Sequence, residues 1–325
     1  MTTFDDNSFP PPPPPASDPS QPLDPSPAAP ELSGDPLSYI PVEPPAPPDP
    51  QADLPEDLRI SWTWVHLLCF IIFAFVSMTV VQLVFAAYYA PHKPMPGNDL
   101  EQYLFSIPQF VVGTTLVSFV LLILFLYFTL AALPGKPFWH TLGWRKWKIG
   151  PTSLPKKPWI YILAGCSLSV LTAFVGSRVK TPDDMPIEML LKNKTGLILM
   201  MSMAVLVAPL VEETIFRGYL YPVFVRIIAA ILRYFGFESA AAARSGIVSS
   251  VLLTGLLFGL LHGSQLSWTW GIVSLLIFVG ITFTYVRART GTVFASFLMH
   301  LGYNSLIALA TIAASHGFTK IPPHP

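Results

Sequence analysis

Apolar positions in this chain come in long unbroken runs, neither alternating with polar ones nor recurring at helical spacing. Ile60–Ala90, Ser106–Leu133 and Trp159–Ser177 contain no charged residue at all. Each is near or beyond the roughly 20 residues that carry a helix across a bilayer. Pro91 and Pro94 stop the first run, and Pro134-Gly135 closes the second. Further along, Gly196–Leu210, Gly246–His262, Trp268–Val286 and Thr292–Ala313 are apolar, and Val211–Phe235 is apolar but interrupted by charges. The pattern predicts an all-α, polytopic membrane bundle of about eight transmembrane helices.

Composition supports this. Of the 325 residues, 52% are hydrophobic and 12% charged, against roughly 25% charged in soluble domains. That is too few charges to cover a water-facing surface. Net charge is zero, and no basic cluster is interleaved with aromatics, so nothing points to a nucleic-acid partner and none is expected. Both cysteines, Cys69 and Cys166, lie inside apolar runs and imply no disulfide framework. Before the first run, residues 1–58 are rich in proline and poor in large aliphatic residues. A stretch of that kind cannot bury enough apolar surface to offset the cost of ordering, and is expected to be a disordered tail. No signal peptide precedes it, so the first span is expected to be an uncleaved anchor. The predicted organisation is tail 1–58, amino-terminal spans and loops 59–195, a site-bearing membrane domain 196–315 and a short tail 316–325.

Loop charges set a topology. The segment Lys136–Pro158 carries Lys136, Arg145, Lys146, Lys148, Lys156 and Lys157, and short loops rich in Lys and Arg stay cytoplasmic. Two spans separate that loop from the amino-terminal tail, which is therefore expected on the same side. A multi-pass protein of the plasma membrane is the corresponding expectation. The carboxy-terminal half is harder to order. If Gly196–Arg217 were one crossing, Glu212 and His262 would end on opposite faces, roughly 25–30 Å apart. They can meet only if Val211–Phe235 is itself at membrane depth, with Pro209 breaking the helix before it. Eight crossings then place Arg287 and Arg289 outside, against the charge rule.

Polar residues at membrane depth are rare and need a reason. In Pro209-Leu-Val-Glu212-Glu213-Thr-Ile-Phe-Arg217, Glu213 and Arg217 stand four apart with the acid first, the favourable order for an ion pair on one helix face. Glu212 points about 100° away and is left uncommitted. A carboxylate spare from such a pair suits a general base. Taken alone, the segment is equally compatible with a structural ion pair and a solvated second acid. Phe258-Gly-Leu-Leu-His262 ends a span in a histidine, more often a structural residue than a catalyst. His300 and Asn304 share a face inside the last span, where such residues also serve as hydrogen-bonding glue between helices. Together they supply what water attack on a peptide bond requires. Glu212 and His262 can hold and deprotonate water, and His300 and Asn304 can donate to a developing oxyanion. No serine or cysteine nucleophile stands in a recognisable motif. Glu212, His262 and His300 could alternatively form a two-histidine, one-carboxylate zinc site with an open position, although no H-E-x-x-H is present.

The three motifs, E-E-x-x-x-R at Glu212–Arg217, F-x-x-x-H at Phe258–His262 and H-x-x-x-N at His300–Asn304, resemble the CAAX protease and bacteriocin-processing family (CPBP, or Abi) of intramembrane endopeptidases. Each is short; the ordered trio inside membrane spans is what makes the resemblance specific. It implies an endopeptidase resembling those that remove the last three residues of prenylated CAAX proteins. Carried over, Glu212 is the general base, His262 its partner, His300 and Asn304 the oxyanion hole, and Glu213 with Arg217 the brace. Both metal-dependent and glutamic mechanisms have been described for the family. The implied partners are membrane lipid and a membrane-associated protein or peptide. A non-catalytic self-immunity or scaffold protein of the same fold is the alternative. A transporter relaying protons through the carboxylates would be supported by inverted repeats, and the sequence shows no internal repeat.

Overall fold

A computed structural model describes residues 51–93, 95–145, 157–181 and 194–316. The tail up to residue 50 and its polyproline run lie outside them. So do Lys146, Lys148, Lys156, Asp183, Asp184 and the last nine residues. The described residues form nine helices and no strand. They are α1 (Trp64–Tyr89), α2 (Gly97–Phe105), α3 (Pro108–Ala132), α4 (Phe138–Thr141), α5 (Pro158–Gly176), α6 (Lys194–Tyr234), α7 (Ser239–Leu261), α8 (Trp270–Thr290) and α9 (Val293–Ala314). Seven of them, all but α2 and α4, are long and apolar enough to cross a membrane. The chain is an integral multi-pass membrane protein.

The expected pair Gly196–Leu210 and Val211–Phe235 is one continuous helix, which brings the long helices to seven. Pro209 does not break it. A proline inside a helix removes one hydrogen bond and crowds the carbonyl four residues back. Here the turn just before it, Met203–Val207, is wound as a π-helix, and this looser winding absorbs the misfit. The same device recurs at Thr214–Leu220 ahead of Pro222 and at Phe128–Ala132 ahead of Pro134. In each case the proline stands two residues beyond the π turn.

At 41 residues, α6 is about 60 Å long, twice the hydrocarbon thickness of a bilayer. Its far end turns back at Gly236 into α7, which runs antiparallel to it. Gly246 of α7 lies against Val225 and Ala229, and Phe258 packs on Phe216 with ring centroids 5.2 Å apart. One turn further along this register, His262 reaches the level of Glu212. That is how one long helix brings to the same depth two residues that a simple crossing would separate. Gly255 and Gly259 then admit the backbone of α8: a Cβ on either would stand 2.5 or 2.6 Å from the nitrogens of Ile281 and Ile277. Small residues at that spacing therefore serve packing within the chain.

Polar contacts fix which helix ends lie together. Arg287 pairs with Asp57, and Arg226 donates to the carbonyls of Ile60 and Trp62. Lys136 reaches Ser61, the Thr292 hydroxyl donates to Arg145 O, and Val293 N bonds Gly143 O. The start of α1, the loop after α3 and the α8–α9 turn thus share one end of the bundle. Eight crossings would have put Arg287 and Arg289 at the opposite end from that loop. A single crossing by α6 removes the conflict. A second departure concerns residues 51–58, assigned to the tail by composition. They fold on the bundle, with a 3-10 turn at Glu56–Leu58 and with Leu54 and Leu58 buried.

Candidate active site

The motif residues sit where α6, α7, α8 and α9 converge. Glu213 ends a short α-helical stretch of α6, and the π turn Thr214–Leu220 that follows carries Arg217. The i,i+4 pair forms as its spacing predicts, with Arg217 Nη1 donating to Glu213 Oε1 at 2.9 Å and both side chains wholly buried. A buried pair is stable only when its remaining hydrogen-bonding capacity is met. Here Arg217 Nε donates to Thr284 Oγ1 at 3.2 Å, and Nη2 donates to the Gly280 carbonyl at 2.9 Å. The guanidinium is also boxed by aromatic faces, its carbon lying 4.6, 5.4 and 5.7 Å from the rings of Phe258, Phe283 and Phe216. Arrangements of this kind favour a planar cation over a point charge.

His300 joins this pair from α9. Its Nδ1 lies 3.0 Å from the same Glu213 oxygen. An ionised carboxylate only accepts, so Nδ1 carries the proton and donates. That orients Nε2 towards Glu212, whose Oε2 is 3.8 Å away. The ring is buried and packs against Phe283 and Phe258 at 4.8 and 5.9 Å. Glu213, Arg217 and His300 therefore form one closed group, and Glu212 borders it as a partly exposed carboxylate.

His262 and Asn304 stand on the more open side. His262 caps the end of α7, with Nδ1 2.7 Å from the Phe258 carbonyl. A carbonyl cannot donate, so Nδ1 again carries the proton and Nε2 is the uncommitted ring nitrogen. No hydrogen bond joins His262 to Glu212 among the described residues. What connects His262 to the rest is the ring of Phe258, 4.8 Å from its own. The phenylalanine of the second motif thus touches Arg217, His262 and His300 together. Asn304 lies one turn beyond His300 and donates Nδ2 to the carbonyl of Ala204 at 2.7 Å. Ala204 belongs to the π turn ahead of Pro209, so that turn also anchors the asparagine. Beside it, α6 and α9 leave an apolar groove of about 420 Å³ lined by Met201, Val205, Ser305 and Ala308 among others.

Sequence reasoning missed the second set of contacts to Arg217. Gly280 and Thr284 stand four apart in an apolar span, a small-and-polar pair that marks a face turned towards protein. The zinc alternative would draw on Glu212 and on Nε2 of His262 and His300, whose Nδ1 atoms are held by a carbonyl and a carboxylate as those of metal-ligating imidazoles commonly are. Among the described residues, no group of three or more His, Cys, Asp or Glu side chains is disposed to hold a metal ion.

Residues 194–306 match the model of the family described as Type II CAAX prenyl endopeptidase Rce1-like. The match covers less than half of the chain and includes all three motifs. Over that segment the resemblance to the CAAX protease and bacteriocin-processing family stands. Comparison with curated proteins and with solved structures returns no match.

Proposed function

We propose that this protein, whose membrane domain is related to the CAAX prenyl endopeptidases, hydrolyses a peptide bond of a membrane-associated substrate with water activated by Glu212. The observation that carries this reading is the division of labour between adjacent acids. Glu213 is bound to Arg217 and His300, while Glu212 is partly exposed and makes no hydrogen bond among the described residues, standing 3.8 Å from His300 Nε2. Glu212 takes a proton from water, and the water oxygen attacks the scissile carbonyl carbon. The same carboxyl then gives the proton to the leaving nitrogen as the C–N bond breaks. His262 presents Nε2 to the water. Asn304 spends one amide N–H on Ala204 and keeps the other for the oxyanion. His300 donates from Nε2 when its ring carries both protons, and Glu213 with the developing oxyanion then balances Arg217 and the ring. No step runs through a metal.

The end bearing Asp57, Lys136, Arg145, Arg226 and Arg287 faces the cytoplasm on this reading, because clustered Lys and Arg are retained there. A prenylated peptide ending in a CAAX sequence is the substrate class implied by the family. The test uses purified full-length protein in lipid nanodiscs with a farnesylated, internally quenched CAAX peptide. Wild type cleaves it, with or without chelator. Glu212→Gln loses about 10²–10⁴-fold in rate while its thermal midpoint holds. Full activity in Glu212→Gln refutes the mechanism, and loss of activity with chelator brings the zinc reading back. A non-catalytic scaffold is indicated if wild type cleaves neither this nor an unprenylated peptide.

A further inference from the structure

The matched segment does not complete its own electrostatics. Arg287, inside it, is fully buried, and the carboxylate paired with it is Asp57, which precedes the first span. The contact is 2.6 Å between Nη1 and Oδ2, and Arg287 Nε has no partner among the described residues. Asp57 belongs to a folded strap running from residue 51 to Trp62. Gln51 clips it internally, donating to Ile60 O and accepting from Ile60 N, and Arg59 closes it through Leu54 O and Ala52 O. Leu54 and Leu58 pack on Tyr221, Val225 and Val251. Trp62, 2% exposed, stacks on Tyr219 with centroids 6.0 Å apart, and Phe70 meets the same ring at 5.0 Å.

Both ends of the strap lead to Arg217. Tyr219 stands two residues from it in the same π turn, a winding that is rare and occurs mostly as short insertions in α-helices, frequently at functional sites. Arg287 stands one turn from Thr284, which holds Arg217 Nε. We infer that residues 51–62 are a positioning element for the active site: Trp62 clamps the π turn of α6, and Asp57 clamps α8 against it through Arg287. Asp57 and Trp62 act through Arg217 and Glu213 and touch no reacting atom. The effect on rate rests on the reading of Glu213 and Arg217 as the brace; the mechanical clamp does not.

The experiment compares wild type, Asp57→Asn, Asp57→Glu and Trp62→Leu as full-length protein in nanodiscs. It measures hydrogen–deuterium exchange together with cleavage of the farnesylated peptide. Exchange across 214–221 should speed up by about tenfold in Asp57→Asn and in Trp62→Leu, with 158–176 unchanged and Asp57→Glu near wild type. Turnover should fall by roughly tenfold with KM within about twofold. If Asp57→Asn does not fold, Trp62→Leu decides. Unchanged exchange across 214–221, or equal acceleration in every span, overturns the strap. So does normal turnover per folded molecule in an otherwise active enzyme. If wild type cleaves nothing, the proposed activity fails while the exchange data still decide the strap.

Discussion

The two halves of the motif set are built differently. Glu213, Arg217 and His300 are sealed from solvent, and each bonds at least one of the others. Glu212, His262 and Asn304 are partly exposed, and the hydrogen bonds that His262 and Asn304 make are to backbone carbonyls, Phe258 and Ala204. The first group's hydrogen bonds run among its own members and from Arg217 to Thr284 and Gly280 of α8. In the second, His262 and Asn304 are oriented by backbone carbonyls, which keeps a nitrogen free on each. A group that must accept a proton or polarise a carbonyl needs such a free atom, whereas a group that holds helices together uses its atoms on neighbouring helices. The contrast explains why two adjacent glutamates on one helix are not interchangeable.

Substitutions can break or sharpen that contrast. Arg217→Ala leaves Glu213 and His300 without the buried cation and should cost about 3–5 kcal/mol in stability, read as a loss of folded protein in detergent melts. If Arg217→Ala melts like wild type, the sealed group is not what holds α6 to α8. On the open side the balance reverses. Asn304→Ala should slow peptide cleavage by about a hundredfold through the lost oxyanion donor, with a small shift in melting midpoint. A large midpoint shift with little change in rate would move Asn304 into the structural group. Thr284→Val is the mildest test. It removes one hydrogen bond to a charged donor, worth about 1.5–3 kcal/mol, and should lower the midpoint without changing KM for the peptide.

Much of this was legible in the sequence. Charge-free runs announced the spans, and the spacing of Glu213 and Arg217 announced their ion pair. What could not be read were features fixed by tertiary partners. His300 was assigned a donor role, and nothing near it in sequence says that its Nδ1 is held by Glu213, a residue 87 positions away. Asp57 reads locally as one more acidic residue in a proline-rich stretch, because its partner lies 230 positions on. Pro209 gave a true signal that was assigned the wrong consequence. It does disturb the helix, but the disturbance is a wider turn within a single helix, and the chain continues past it. The span count and the side assigned to Arg287 both followed from that one choice.

Those wider turns also change how α6 must be projected. Each π insertion carries about one residue more than the α-helical turn it replaces, and one residue is about 100° of rotation. A helical wheel drawn from Lys194 to Tyr234 therefore loses phase at Met203–Val207 and again at Thr214–Leu220. The helix is three wheels in series, each turned on the last. Deleting one residue within 214–220 should restore regular α-helical winding while Tyr221 and everything after it keep their bearing relative to Glu212. The extra residue is carried locally, and the faces beyond it stay in register.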